Sequence, residues 1–479
     1  MAARVSFRDP SGLCIRLDGR ILRLVRQEAV EPFEAFLAGP AGRDAVKQGW
    51  VVETRRLAAP EERVLRERLA VVQPGVTVGD GDVFYEHACV PFVSYPSEWP
   101  PEMLHAAAGL TLDLSCRLLE EGLGLKDATP YNILFKGPDP VWVDLLSVEK
   151  RTTGDPLWLP YAQFCRTFLF PLLMWRYWEL DSAGFALLYR DGIEPEAFYR
   201  LCGWGRRLRP PVLQHVSIPV WFGRRAGSET VSRPNLLRDA ERAQFVVASL
   251  FASLWGAIGT ACHSDRAPSA WIDYMGTHSY SESGFAAKEG LVRDFLGFIQ
   301  PRSLLDVGAN TGHFSLLAAR LGARVVAIDY DAGCMGRLWR QARATRANVL
   351  PLVVNLARPT PAVGWRNGEC GSFLERAAGA FDTVLMLAVV HHLLVTERVP
   401  FVELAELVDT LTTAWAVIEY VPPEDPMFKR IVRGREHLHG GMTPALFEAA
   451  FESRFTVQRR EPIPDSGRIL YLLKKKDGR

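Results

Sequence analysis

The sequence predicts an α/β fold for the C-terminal part of the chain and an α+β region ahead of it. Three observations carry this. Ser303-Leu-Leu-Asp-Val-Gly-Ala-Asn-Thr-Gly-His-Phe-Ser315 reads as a strand, a glycine turn and the start of a helix. Arg324-Val-Val-Ala-Ile-Asp-Tyr-Asp331 reads as a second strand that ends in acid. Further apolar strand candidates then alternate with helical patterns and close on a hairpin.

In the first strand Leu304 and Leu305 lead to Asp306. Gly308 and Gly312 let the backbone turn tightly and approach a ligand with no Cβ in the way. Phe314, Leu316, Leu317, Ala318 and Leu321 continue as an amphipathic helix. The second strand, Val325 to Ile328, ends in Asp329, where a doubly wound sheet places an acceptor for ribose hydroxyls. A dinucleotide fingerprint needs Gly-x-Gly-x-x-Gly. Here Asn310 holds the middle position and His313 the third, giving Asp-x-Gly-x-Asn-x-Gly. Val349 to Val354, Phe381 to Leu387 and Ala414 to Val421 are the next strands. Phe455–Arg459 and Arg468–Lys474, split by a Pro/Asp/Ser/Gly turn, form the terminal hairpin.

The Asp-x-Gly-x-Asn-x-Gly phrase resembles motif I of the class I S-adenosylmethionine-dependent methyltransferases. The terminal hairpin resembles the end of their Rossmann-like seven-stranded sheet. The resemblance implies S-adenosyl-L-methionine as cofactor, bound through Asp306, Gly308, Asn310, Gly312 and Asp329, with Asn355 near the adenine. It also places substrate and catalytic groups after the fourth strand, at Leu387 to His392. For a hydroxyl acceptor, His391 or His392 is the natural base, since imidazole titrates near neutrality, and His391 is the first choice. The aromatic, polar stretch Trp271 to Tyr280 reads as a lid, with Tyr274, His278, Tyr280 and Lys288 as contacts to donor or acceptor.

The chain has 479 residues, which suggests two or three domains. A net charge of +1 gives no global basic field for nucleic acid. Eight cysteines without a Cys-x-x-Cys pair argue against a zinc site or a disulfide framework, so no metal is expected and a reducing, cytoplasmic setting fits. Ala243 to Cys262 is uncharged and long enough to span a bilayer. Its several small and polar residues predict a packed helix instead, and no membrane span is expected. The domain plan is 1–240, a connecting helix and linker at 241–268, and 269–479.

In the N-terminal region Pro101 to Glu121 reads as a helix. It precedes Leu125-Lys-Asp-Ala-Thr-Pro-Tyr-Asn-Ile-Leu-Phe135 and Val141-Trp-Val-Asp-Leu145. These phrases resemble the catalytic and metal-binding loops of protein kinases, with Asp127 matching the base and Asn132 and Asp144 the Mg²⁺ ligands. Asp9-Pro-Ser-Gly12 and Asp18-Gly19 flank short strands of a small β lobe. No glycine-rich phosphate loop precedes them, and Lys47 is the only lysine before Lys126. A kinase-like scaffold for acceptor recognition is expected. Trp158 to Pro171 reads as a buried aromatic helix, and Arg206–Pro211 and Gly223–Ser232 read as loops.

With the phrase Val90 to Trp99 added, most of the chain resembles bacterial nodulation-protein-related methyltransferases. That implies methylation, on oxygen in the most concrete reading, of a small-molecule or glycan/lipid-linked saccharide acceptor. Two alternatives follow from the same residues. One is a bifunctional kinase and methyltransferase, the other a noncatalytic cofactor-binding sensor or scaffold.

Overall fold

The computed structural model describes residues 8–73, 75–223, 236–262, 282–432 and 442–476, with the strand Ala3–Arg4 and residue 434. The chain forms two compact units. The first holds 1–97, 103–135 and 140–265, and the second holds 98–102, 136–139 and 266–479.

The first unit begins with an antiparallel sheet of β1 (Ala3–Arg4), β2 (Gly12–Leu17), β3 (Arg20–Val25), β4 (Thr54–Arg56) and β5 (Val83–His87), in the order β1-β2-β3-β5-β4. Asp18 and Gly19, both at positive φ, make the two-residue turn between β2 and β3. That backbone matches the twist of paired strands. One face buries Leu13, Ile15, Leu22, Leu24 and Phe84 with Leu65 and Leu69 of the helix Ala59–Val72. The two-residue period of a strand puts Arg23 on the opposite face from Leu22 and Leu24.

The helix Pro101–Leu119 leads into β6 (Leu123–Leu125). β7 (Ile133–Lys136) and β8 (Asp139–Trp142) pair, and β9 (Val148–Lys150) returns to β6. The expected aromatic helix runs Tyr161–Phe164 and Phe170–Trp178, joined by a π-helical stretch Cys165–Leu169, and buries Phe164, Phe168 and Phe170. Arg206–Pro211, expected as a loop, instead ends the short helix Trp204–Arg207 and starts another at Pro210. A proline's fixed φ suits the first positions of a helix, so the Pro210-Pro211 pair begins a turn rather than a coil. The helix Ala240–Cys262 belongs to this first unit. By length and composition, its segment Ala240–Ala261 could cross a membrane, and a third of its most apolar window is buried. Most of Gly223–Ser232 lies outside the described residues.

The second unit starts with the helix Glu282–Ile299. It then builds β10 (Ser303–Val307), β11 (Arg324–Asp329), β12 (Val349–Val353), β13 (Phe381–Met386), β14 (Thr412–Tyr420), β15 (Phe455–Pro462) and β16 (Ile469–Lys475). Their order is β12-β11-β10-β13-β14-β16-β15. β10 to β14 are parallel, while β16 runs antiparallel to both β14 and β15, so the sheet is mixed. Every residue of β10 is buried. Strands covered on both faces carry apolar runs without alternation, which is why Leu304, Leu305 and Val307 are all core. The chain order reverses between β10 and β13, so a crevice opens at their carboxyl ends.

The insertion of β16 beside β14 is tied by buried charge. Arg468 is fully buried at the entrance to β16. Its Nη1 donates to Glu419 Oε1 of β14 at 3.0 Å, and its Nε and Nη2 donate to the two carboxylate oxygens of Asp425 at 2.8 and 3.1 Å. Lys288 Nζ, from the helix Glu282–Ile299, lies 2.6 Å from Glu419 Oε2. Removing one partner of such a set leaves a buried charge uncompensated. Arg468→Met should therefore lower unfolding free energy by about 3–5 kcal/mol in urea denaturation. A loss under about 1 kcal/mol, the range of an ordinary surface substitution, would disprove this role.

Candidate active site

The turn after β10 is built from left-handed backbone. Gly308 has φ +70°, Asn310 +51° and Gly312 +83°. A Cβ on Gly308 would come within 2.2 Å of Val389 Cγ2, and one on Gly312 within 2.1 Å of Leu338 Cδ1. Both positions need glycine for conformation and for space. Asn is among the few other residues that tolerate this region. The amides of Gly308 and Ala309 both donate to Ile328 O of β11, at 2.8 and 3.1 Å.

Asp329, at the end of β11, accepts from the Asn310 amide at 3.0 Å and from the Asp331 amide at 3.0 Å. Burial pushes its carboxyl up to about 6, against the pull of those amides. The Tyr330 amide adds a third backbone donor to this carboxylate. Asp306 is buried and accepts the Ser315 hydroxyl at 2.5 Å. Burial raises it to about 7, with the nearby Asp329 charge adding and Ser315 and Lys288 opposing. Asp306 thus lies under the turn, held through Ser315. Asn355 follows β12, and its Oδ1 caps a local turn by accepting from the Ala357 amide at 2.9 Å.

His391 and His392 stand in the short helix Val390–Val395 after β13. Their rings are 4.3 Å apart between centroids. His391 is buried against Phe428, and its Nδ1 has no hydrogen-bond partner among the described residues. His392 is half-buried and so the more accessible ring. Burial depresses both imidazoles, His391 the more strongly, with the Arg468 charge contributing to each. Both rings are therefore neutral at physiological pH.

Lys288, expected at the donor carboxylate or the acceptor, is instead buried in the ion pair with Glu419, with its ammonium 5.3 Å from the Phe314 ring centroid. Tyr274, His278 and Tyr280 lie outside the described residues. The sequence reading missed Ser315, Glu419, Asp425 and Arg468. Glu419 had a signal: it is the only charged residue in an otherwise apolar strand. A charge in such a run needs a buried partner.

In the first unit Asp127, Asn132 and Asp144 come together. The Val143 amide donates to Asn132 O at 2.9 Å, and the Asp127 amide donates to Ser147 Oγ at 3.2 Å. Among the described residues the buried Asn132 Nδ2 has no hydrogen-bond partner. Arg23 Nη2 of β3 lies 3.5 Å from Asp144 Oδ1. Burial raises Asp144, opposed by Arg23, with Asp9 and Asp127 adding. Arg23 is a cation on the third strand that the search for a lysine overlooked. Among the described residues no group of three or more His, Cys, Asp or Glu could hold a metal ion.

Residues 305–408 match the family model described as a methyltransferase domain. Strand order, glycine turn, acid at the end of β11 and this match define the class: the chain is an S-adenosylmethionine-dependent methyltransferase. Along its whole length it is similar to the nodulation protein NoeA of Rhizobium meliloti (strain 1021). The two are 29% identical over 98% of this chain and 96% of the relative. Among solved structures, the PH0226 protein of Pyrococcus horikoshii OT3 aligns at 15% identity over 41% of this chain and 92% of its own, with a TM-score of 0.30. The bifunctional kinase-methyltransferase WbdD aligns at 18% identity over 43% of this chain and 42% of its own, with a TM-score of 0.31.

The residues at the strand ends fit the cofactor. The turn brings bare backbone to the crevice, and the Asp329 carboxylate lies beside it. Asp329→Ala should weaken S-adenosylmethionine binding roughly ten- to a hundred-fold in calorimetric titration, the cost of losing a charged acceptor. Unchanged affinity would separate Asp329 from the cofactor.

Asp306 makes stability depend on pH. Its folded carboxyl holds a proton more tightly than in the unfolded chain, so the native state binds more protons between the ordinary carboxylate range and about pH 7. The contribution of this group is complete below about pH 4 and is lost as pH rises through about 7. Asp306→Asn removes that decline. Its midpoint of thermal unfolding should match the parent near pH 4 and exceed it at pH 8. A constant difference across this range would refute the assignment.

Proposed function

We propose that the chain methylates an oxygen of a small-molecule or glycan/lipid-linked saccharide acceptor, with His391 and His392 at the proton-accepting position. One observation carries the reading. Val389 packs against the Gly308 backbone so closely that a Cβ there would collide with it, and the two histidines begin two residues later. The glycine turn and the imidazoles therefore share one crevice at the ends of β10 and β13. Bound there, S-adenosylmethionine supplies an electrophilic methyl carbon. The turn and Asp329 hold the donor in place, and the strand ends align the acceptor oxygen with it. As the oxygen forms its bond to the methyl carbon, the carbon–sulfur bond breaks and a neutral imidazole takes the hydroxyl proton. His392, the more accessible ring, is placed to touch the acceptor, with His391 packed behind it. The saccharide class rests on the whole-chain resemblance to nodulation-protein-related methyltransferases. The N-terminal region would hold or recognise that acceptor.

A second reading has its own observation. The Asp127, Asn132 and Asp144 cluster, with a buried unpartnered amide nitrogen and a cation on β3, resembles the arrangement that holds nucleotide phosphates and Mg²⁺ in protein kinases. Thermal unfolding with S-adenosylmethionine, S-adenosylhomocysteine, and ATP with Mg²⁺, each alone, separates the readings. A ligand at a hundred times its Kd adds about 2.7 kcal/mol. Stabilisation by the two sulfur ligands and not by ATP supports a methyltransferase with a kinase-like scaffold. Stabilisation by ATP as well supports a bifunctional enzyme. S-adenosylhomocysteine release with saccharide acceptors then tests the base. His392→Asn should lower kcat about 10²- to 10⁴-fold and leave donor affinity intact. Equal loss of donor affinity would refute the role.

A further inference from the structure

We infer that the first unit docks on a lipid bilayer with anionic headgroups, through the surface formed by the helices Pro195–Leu201, Trp204–Arg207 and Ile218–Gly223. This inference does not depend on which acceptor is methylated.

The surface exposes large apolar side chains in a small space. Trp204 is 79% exposed, Phe222 63%, Leu201 55%, Leu208 48% and Trp221 39%. Isolated exposed apolar residues need no explanation, but these belong to one connected structure. Trp221 Nε1 donates to Tyr199 Oη at 3.0 Å, and the Arg207 guanidinium lies 4.0 Å from the Tyr199 ring centroid. Ser217 Oγ donates to Arg207 O at 2.9 Å. Through these contacts the three helices are held together.

The charge is one-sided. From Ala197 to Ser228 the sequence contains six arginines and no Asp or Glu, in a chain whose net charge is only +1, and Glu196, exposed in the first turn of Pro195–Leu201, is the one acid of the three helices. Four of them, Arg200, Arg206, Arg207 and Arg209, lie in the described part. Among the described residues none of the four has a carboxylate within ion-pair distance. Arg206 stacks on Tyr177 and Trp178, and Arg207 stacks on Tyr199 and donates to its carbonyl. Their charges are positioned by aromatic rings without being neutralised. The neighbouring helix Ala240–Cys262 adds an uncharged border, because Ser253 Oγ donates to Gln214 Oε1 at 3.2 Å while Ala252 and Gly256 beside it are exposed.

Trp and Phe beside an excess of Arg is the chemistry of a membrane–water interface. Indole rings settle at headgroup depth. Arginine stems lie along apolar surface while the guanidinium reaches phosphate. Lys and Arg near an anionic leaflet gain attraction that fades within a Debye length. A second copy of the chain suits the surface poorly, since a two-fold contact would set these arginines against their own copies.

The test is co-sedimentation of the full chain with vesicles of phosphatidylcholine alone and of phosphatidylcholine with a minor fraction of phosphatidylglycerol, at low and high salt. The expected result is binding to the phosphatidylglycerol vesicles that weakens with salt. It should fall roughly tenfold or more in the double variant Trp204→Glu with Phe222→Glu, and likewise in Arg200→Glu with Arg209→Glu. Trp365→Glu, an equally exposed ring in the second unit, should leave binding unchanged. The substituted side chains are exposed, and an unchanged midpoint of thermal unfolding verifies folding. Absence of wild-type binding, equal binding to both vesicle types, or full binding by either double variant would overturn the inference. So would a dimer in light scattering that the variants dissolve without any vesicle binding by the parent.

Discussion

The second unit depends on the buried ion chain Lys288–Glu419–Arg468–Asp425. Two cations and two carboxylates balance, which makes their removal from water tolerable, though the desolvation cost remains large. The chain joins three elements far apart in sequence: the helix ahead of the sheet, the strand β14 with the residues after it, and the entrance to β16. An apolar core accepts many slightly different packings. A buried four-charge chain accepts few, because each displaced partner strands a charge. Placement of β16 between β14 and β15 is therefore specified by electrostatics as well as by strand pairing. The same cations face the histidines. Burial is the main force against a proton on either ring, and the Arg468 charge adds to it.

At the other side of the crevice, β11 does two jobs. Its Ile328 carbonyl accepts the amides of Gly308 and Ala309, and its Asp329 accepts the amide of Asn310. Three left-handed residues in five would be costly in an unsupported loop. Here each strained segment is tied to the next strand, and Val389 and Leu338 close the space on either side. Asp329 is thus both a buried carboxylate and a turn anchor. That dual role explains its modest elevation. Burial alone would raise the carboxyl further, and the backbone donors partly offset it.

Much of this was legible in the sequence because local rules apply to it. Parallel strands buried on both faces leave apolar runs such as Leu304–Leu305 and Val349–Val353, and the positive φ at Gly308 and Gly312 leaves glycine. The two-residue turn at Asp18-Gly19 was marked in the same way. The ion pair of Lys288 was not legible, because its partner, Glu419, is remote in sequence. Arg23 was overlooked because a lysine was sought on a strand where an arginine stands. The exposure of Trp204 and Trp221 could not be read either. An aromatic on a short helix looks the same in sequence whether it faces the core or solvent, and only the packing around Tyr199 decides it.

Arg23 also bears on what the first unit can bind. Its Nη2 faces the Asp144 carboxyl across the cluster. Yet the contact is 3.5 Å long, and a bidentate guanidinium–carboxylate pair would sit closer. The guanidinium is shared: Nη2 also donates to Val143 O at 3.3 Å, and Nε donates to His87 Nε2 at 3.3 Å. Burial pushes His87 down to about 3, which leaves its ring neutral and able to accept. Arg23 is therefore held by neutral groups of the β5 end and the β8 end and only loosely by Asp144. An anion entering the cleft would compete with a single long ion pair. Burial, with the charges of Asp9 and Asp127 adding, pushes the Asp144 carboxyl up, and the Arg23 charge is the main force opposing that rise.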